Sequence, residues 1–424
     1  MELIDELAAR GLYADCTDRA GLAALFANEA PVSAYAGYDP TSSSLHVGNL
    51  VPTILLKRLQ LAGHRPIIVV GGATGMIGDP SGKSEERNLL DDATLAANVA
   101  GIRDQLARLL DFDDAKTGAQ MTNNADWTRG VGYLEFLRDV GKHLTINYMT
   151  AKDSVKNRLE SEHGISYTEF SYMLLQAYDF VHLAKTYNCR LQVGGSDQYG
   201  NITAGCELQH KLRGPKIFGL TAPLLLDSSG QKMGKTSTGE RIWLDAARTS
   251  PYAFYQYWLG VTDADAPRLL RLFSLRSLPE LDALLAEHDL DRGKRAAQRE
   301  LARAMTAWVH GTAQIEPIEA ASKIMFGGSL TGVSEAVLAQ LVGTVPVAEL
   351  TRAELDAGVP IIDLLARTVA DSKGAARRLL TQGGVQLNNE KITEVERKLT
   401  AADLVTATML MIGTKKDRWL VRVR

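Results

Sequence analysis

The sequence of 424 residues predicts an α/β protein, with a parallel sheet in its first half, an α-helical middle and a small α+β segment at its end. Three observations predict it. Short apolar runs alternate with helical patterns up to about residue 225, as in parallel sheets whose ligands bind beyond the carboxyl ends of the strands. Residues 252 to about 330 are rich in Ala, Leu and Arg at helical spacing, with little strand signal. The last stretch joins two short helical patterns to a Gly-Gly turn and a strand. Length agrees, since at about 150 residues per domain such a chain holds two to four.

Taken in order, VSAYAGYDP (32–40) reads as a strand entering a turn, and LHVGNLVPTILLKRLQLAG (45–63) as a helix stopped by Gly63, with Ser43 and Ser44 as candidate N-caps. Pro52 lacks an amide hydrogen and is expected to bend that helix locally. RPIIVVGG (65–72) reads as the next strand, and RLQVGGSDQYGNI (190–202) as another with a glycine-rich exit. In the middle segment Leu301, Met305 and Trp308 form an apolar stripe, with Arg292, Arg295, Arg299 and Arg303 on the opposite face of the same helix. Residues 336–356 read as a connection.

Composition excludes several classes. Apolar residues make up 45% and charged residues 23%, the balance of a globular rather than a disordered chain. Apolar stretches such as Ile67–Val70 fall far short of the roughly 20 residues of a membrane helix. The acidic, amphipathic start MELIDELAARGLYAD is unlike a secretory signal, so a cytoplasmic location is expected. Cys16, Cys189 and Cys206 are scattered, with no CxxC, and Cys206 with His210 lacks the second pair a metal site needs. No tightly bound protein metal is expected. Net charge is −3, yet residues 358–424 carry 12 Lys+Arg against 7 Asp+Glu, a net +5 that leaves −8 for the rest. A basic tail on an acidic body fits either contact with a polyanion or a solvated surface.

Two motifs carry chemistry. Tyr35–Thr41 runs from the first strand into His46-Val47-Gly48-Asn49, where a helix N-terminus offers unpaired N–H groups to phosphate. Gly48 leaves room for a close backbone approach, and His46 and Asn49 share one helix face. The second is Lys232-Met233-Gly234-Lys235-Thr236, two lysines on a glycine-containing loop, suited to a leaving group that gains negative charge. A further helix, EFSYMLLQAYDFVHLAKTY (169–187), is mostly apolar but sets Tyr172, Gln176 and Asp179 on one polar stripe. Buried, that stripe must find protein partners or line a cavity holding a polar ligand.

In this order the two motifs resemble the HIGH and KMSKS signatures of class I aminoacyl-tRNA synthetases. YAGYDPTSSSLHVGN, GGATGMIGDPSGK, YTEFSYMLLQAYDF and VGGSDQYGNI narrow the resemblance to the bacterial-type tyrosyl enzymes, and the C-terminal segment resembles the S4 RNA-binding module. The resemblance spans essentially the whole chain. It implies a Rossmann-like catalytic domain over 1–225, a KMSKS-type loop and connection over 226–245, an α-helical anticodon-binding domain over 246–335, a linker over 336–356 and an S4-like domain over 357–424. It also implies L-tyrosine, ATP and tRNA(Tyr) as partners, with Mg²⁺ held through the phosphates, and a homodimer.

Residue by residue, the resemblance assigns Tyr35 and Asp179 to the substrate phenol, and Asp79, Tyr172 and Gln176 to its ammonium. Gln192, Gly195, Asp197 and Gln198 fall around the ribose and the tyrosyl carboxylate, with Gly37, Asp39 and Gly48 in the ATP and adenylate site. Thr41, His46 and Asn49 would contact ATP phosphates and ribose, while Lys83, Arg87, Lys232, Lys235 and Thr236 would embrace the departing pyrophosphate. Three positions depart from the pattern: Asn49 stands for the signature's last His, Gly234 for its Ser, and Tyr199 where Trp is frequent.

Rival readings fail on spacing or on residues. Gly78-Asp79-Pro80-Ser81-Gly82-Lys83-Ser84 has three residues between its glycines where a P-loop has four, and GGATGMIG lacks the GxGxxG of a dinucleotide fold. A tryptophanyl synthetase is disfavoured by the Tyr35/Asp179 pair and the S4-like tail, and a catalytically silent RNA-binding paralogue by intact His46, Lys232 and Lys235.

Overall fold

The computed structural model describes residues 1–81, 90–161, 164–236 and 238–424. Its contacts divide the chain into two compact units, Met1–Asp245 with Val261–Leu301, and Ala246–Gly260 with Ala302–Arg424.

The first unit is built on five parallel strands: β1 (Ser33–Tyr38), β2 (Arg65–Val70), β3 (Gln120–Asn123), β4 (Cys189–Gly195) and β5 (Phe218–Ala222), ordered β3-β2-β1-β4-β5. β1 and β2 are buried almost throughout, which is why they read as continuous apolar runs rather than alternating ones. β3 begins exposed and is only half buried, so it has little hydrophobic signal in sequence. Chain order reverses between β1 and β4, and the crevice beyond their carboxyl ends is the expected ligand site of such a sheet.

Several local expectations are revised. The strand read over 190–202 ends at Gly195; a 3₁₀ turn (Ser196–Gln198) follows, then helix Tyr199–Lys211, whose Asn201, Ala204, Gly205 and Leu208 are buried at helical spacing. Helix 45–63 begins as a 3₁₀ turn (Val47–Asn49) and becomes α-helical over Leu50–Leu61. His46, not Ser43 or Ser44, caps it, while Ser44 donates to Leu45 O at 2.8 Å. Pro52 sits in the first α-helical turn, where the N–H groups lack helical acceptors. Arg292 and Arg295 precede helix Ala296–His310, so the four arginines do not share its face. Arg292 instead pairs with Asp289 at 2.8 Å, and Arg295, at φ 53°, donates to Val261 O. Among the described residues no helix is long and apolar enough to cross a membrane.

In the second unit, helices Pro251–Leu259 and Ile315–Met325 pack together through Gln256 and Ser322, 2.6 Å apart. Its five-stranded sheet gathers Val385–Leu387, Glu390–Ile392, Met409–Gly413 and Arg418–Val423 with Val347–Leu350. Residues 336–356 therefore carry an edge strand, Val347–Leu350, paired in parallel with Leu420–Val423. The strand is short and only partly buried, which hides it from a hydrophobicity reading. Leu364, Leu365, Ala376, Leu380, Leu410 and Val421 lie in the core between this sheet and helices Ile361–Arg367 and Lys373–Thr381.

Candidate functional site

A cavity of about 720 Å³ opens at the switch point of the first unit's sheet. β1 and the turn after it contribute Tyr35, Gly37, Tyr38, Asp39 and Thr41, and β4 and its exit contribute Gln192, Gly195, Asp197 and Gln198. Helix Tyr167–Tyr187 lays Tyr172, Gln176 and Asp179 along one wall. Both options open to that polar stripe are realised, because each of the three lines the cavity and also has a protein partner.

Asp179 ends one side of the cavity. It accepts from Asn124 Nδ2 at 2.9 Å and from Trp127 Nε1 at 2.8 Å. Burial lifts its carboxyl to about 7, against the pull of those two hydrogen bonds. Tyr35 is nearby and fully buried, held edge-on to Phe180 at 5.1 Å between ring centroids. Its hydroxyl has no hydrogen-bond partner among the described residues, and burial, then the Asp179 charge, pushes the phenol well above its ordinary range. A buried donor without a partner beside a buried acceptor is costly, and a ligand hydroxyl would satisfy it.

A second polar cluster surrounds Asp79. Gln198 Nε2 donates to Asp79 Oδ2 at 2.6 Å, Gln176 Nε2 to Gln198 Oε1 at 3.3 Å, and Asn201 Nδ2 to Gln176 Oε1 at 3.1 Å. The Ser81 amide also donates to Asp79 Oδ1, at 2.9 Å. The cluster leaves an anionic, acceptor-rich surface suited to an ammonium group. Asp39 is a third carboxylate, held by Thr74 Oγ1 at 2.8 Å and by the Tyr172 hydroxyl at 2.9 Å.

The cavity extends to the N-terminus of helix Leu50–Leu61 through His46, Gly48 and Asn49. His46 Nδ1 accepts from the Gly48 amide at 3.0 Å, which leaves Nε2 of the neutral ring as a donor. Asn49 Oδ1 accepts from the His46 amide at 3.0 Å and completes a capping box. The pair thus caps the turn as well as facing the cavity. Gly48 has a reason of its own: a Cβ there would meet the His46 ring at 2.8 Å.

The KMGKT segment is split. Lys232 lines the cavity, whereas Lys235 and Thr236 do not. Thr236 Oγ1 lies 2.7 Å from Thr238 Oγ1 and accepts from the Glu240 amide at 3.1 Å, so it serves the turn of its own loop. Gly234 has φ 103°, a conformation open to glycine and strained for other residues, which gives the departure from the signature a backbone reason. Lys83 and Arg87 lie outside the described residues.

Residues 27–327 match the family described as tRNA synthetases class I (W and Y). Residues 338–420 match one described as Tyrosine--tRNA ligase SYY-like C-terminal domain. A Tyrosine--tRNA ligase of Opitutus terrae is 50% identical over 423 residues, covering 99% of each chain. The chain belongs to the class I tyrosyl-tRNA synthetase family. Another Tyrosine--tRNA ligase, of Rhodopirellula baltica, is 48% identical over 98% of this chain and 95% of that one. Among solved structures, a C-terminally truncated mitochondrial tyrosyl-tRNA synthetase of Aspergillus nidulans superposes with a TM-score of 0.69 at 32% identity, covering 77% of this chain and 94% of that one.

Motif reading missed Asn124, Trp127, Asn201 and Thr74, which brace the site's carboxylates. Asn124 and Trp127 follow β3, whose weak hydrophobic pattern gave no reason to look there. Asn201 was hidden by the strand reading of 190–202; a helix from Tyr199 sets it three residues beyond Gln198, close enough for both to reach Asp79. Among the described residues no group of three or more His, Cys, Asp or Glu side chains could hold a metal ion.

Proposed function

We infer that this cavity activates L-tyrosine with ATP and that the chain then transfers the tyrosyl group to tRNA(Tyr). One observation carries the reading. The buried Asp179 carboxyl and the Tyr35 hydroxyl, without a partner among the described residues, lie in a cavity that also holds the Asp79 cluster and the His46 turn. A tyrosine molecule fits this order of groups, its phenol toward Tyr35 and Asp179 and its ammonium toward Asp79, Tyr172 and Gln176. Phenylalanine would leave Asp179 and Tyr35 without a hydroxyl partner, and tyrosyl-tRNA synthetases are themselves the reference case for discrimination by that penalty.

The chemistry needs no protein nucleophile. The tyrosine carboxylate attacks the α-phosphorus of ATP in line, pyrophosphate departs, and tyrosyl-adenylate forms. The terminal tRNA hydroxyl then attacks the acyl carbon and AMP leaves. Positioning and charge stabilisation do the catalytic work. Gln192, Gly195, Asp197 and Gln198 hold the ribose and tyrosyl carboxylate, with Gly37, Asp39 and Gly48 shaping the adenylate site. His46 Nε2, Thr41 and Asn49 bind phosphate and ribose, and Lys83, Arg87, Lys232, Lys235 and Thr236 take the pyrophosphate. Lys235 and Thr236 reach it only if their loop moves, since neither lines the cavity here. Mg²⁺ would enter on the oxygens of the triphosphate, which with water complete its shell.

Helical residues 246–335 and the module over 357–424, with Lys373, Arg377, Arg378 and Lys391, would bind tRNA. The protein would act in the cytoplasm as a homodimer.

The test is amino-acid-dependent ATP–pyrophosphate exchange with tyrosine, phenylalanine and tryptophan, on wild type and Asp179→Asn. Exchange with tyrosine alone, weakened in the variant, is the expected result; preference for tryptophan, or no exchange at all, would refute the reading.

A further inference from the structure

We propose that Arg241, which lies outside both signature motifs, is a further phosphate-contacting residue of the activation reaction and binds the pyrophosphate end of the triphosphate beside Lys232. The proposal rests on the reading of the cavity as an ATP site.

Charge is the first argument. Among the described residues the cavity is lined by four aspartates, Asp39, Asp79, Asp179 and Asp197, and by one lysine and one arginine, Lys232 and Arg241. A triphosphate entering that field needs cations close by, and Lys235 does not reach the wall.

Placement is the second. Lys235 and Arg241 face each other in an antiparallel bridge, as do His46 and Trp243. Residues 241 and 243 are two apart on one short extended segment, so their side chains leave on the same face. The Arg241 guanidinium stands 5.7 Å from the centre of the Trp243 ring, which meets the His46 ring edge-to-face at 6.3 Å between centroids. His46, Trp243 and Arg241 all line the cavity, forming a continuous side-chain track from the helix N-terminus to the lysine loop.

The ribbon beneath is anchored to both motifs. The Ile242 amide donates to Gly234 O at 2.9 Å, and the Val47 amide to Ile242 O at 3.1 Å. The bridge thus sets two basic residues, Lys235 and Arg241, opposite each other on one ribbon, an arrangement that an anion bound between them would favour. Trp243 holds the guanidinium over its ring face meanwhile, and the planar fork of arginine can then bind phosphate oxygens in pairs.

Arg241 is exposed, so its replacement should leave folding intact. The experiment measures exchange and single-turnover adenylate formation for wild type, Arg241→Ala and Arg241→Lys, varying tyrosine, ATP and pyrophosphate separately. Losing a charge-assisted hydrogen bond predicts, for Arg241→Ala, a fall of about tenfold in the activation rate and a rise of about tenfold in KM for pyrophosphate in the reverse direction. KM for tyrosine should stay unchanged, and Arg241→Lys should recover part of the loss. Wild-type pyrophosphate dependence in Arg241→Ala, or a defect confined to tyrosine, overturns the proposal while leaving the cavity's function standing. Absence of tyrosine-dependent exchange in wild type overturns both.

Discussion

The indole nitrogen of Trp127 donates to Oδ1 of Asp179 at 2.8 Å, while Asn124 Nδ2 donates to the other carboxylate oxygen at 2.9 Å. Trp127 is itself stacked on His182, ring centroids 4.5 Å apart and planes 11° from parallel. The orientation of the buried acceptor is thus set from two elements, the turn after β3 and helix Tyr167–Tyr187.

Trp127→Phe keeps a ring against His182 and removes the donor. A hydrogen bond to a charged group contributes roughly 1.5–3 kcal/mol. We expect kcat/KM for tyrosine to fall at least about tenfold with KM for ATP unchanged; steady-state exchange kinetics check this. A purely structural role would lower stability and leave the tyrosine dependence as it was.

Asp179 also gives the ligand-free protein a pH signature. Its folded carboxyl lies at about 7, against 3.8 for an ordinary aspartate, because burial disfavours the charge. Between these values the folded state holds a proton that the unfolded state has released, so this contribution to stability declines as pH rises through the window and levels off above it. Denaturant melts from pH 5 to 8.5 should show Asp179→Asn gaining on wild type with rising pH, then running parallel. A constant difference throughout would contradict the assignment.

Arg158 and Glu169 form a buried ion pair through two contacts of 2.7 Å, at the start of the helix that carries Tyr172, Gln176 and Asp179. Glu169→Ala leaves the guanidinium buried without its counter-charge, a loss of about 3–5 kcal/mol. Urea unfolding should register it, together with weaker tyrosine binding from a loosened helix start.

Gly234→Ala should act on the loop rather than on global stability. The φ of 103° is strained for alanine, while an added Cβ would meet Val47 only at ordinary contact distance, 3.7 Å. A strain of about 1–3 kcal/mol predicts a lower rate of adenylate formation at unchanged KM for tyrosine. Rapid-quench measurement of the first turnover reads this step directly.

Removal of the C-terminal module should separate the two half-reactions. Because Val347–Leu350 pairs with Leu420–Val423, a cut near residue 350 would strand an edge strand, and ending the chain at Val333 is the cleaner test. Exchange with tyrosine should survive, whereas tRNA charging should fall sharply and lose its dependence on salt. Equal charging by the shortened chain would refute a tRNA role for the module.

Sequence alone determined the class of architecture and the chemistry-bearing motifs. Continuous apolar runs such as Ile67–Val70, too short for a helix and followed by glycines, fit buried parallel strands, and a polar stripe on an apolar helix announces itself at i, i+4, i+7. Tertiary structure decided everything that depends on chain distant in sequence. Asn124 and Trp127 meet Asp179 across more than fifty residues, and Val347–Leu350 becomes a strand only because Leu420–Val423 offers it an edge. It also decided that Lys232 and Arg241 face the cavity while Lys235 does not, since local patterns record helix and strand periods but not which side of a turn meets solvent. Periodicity is a local property of the chain; a site is made of contacts between elements, and those exist only once the sheet has set their order.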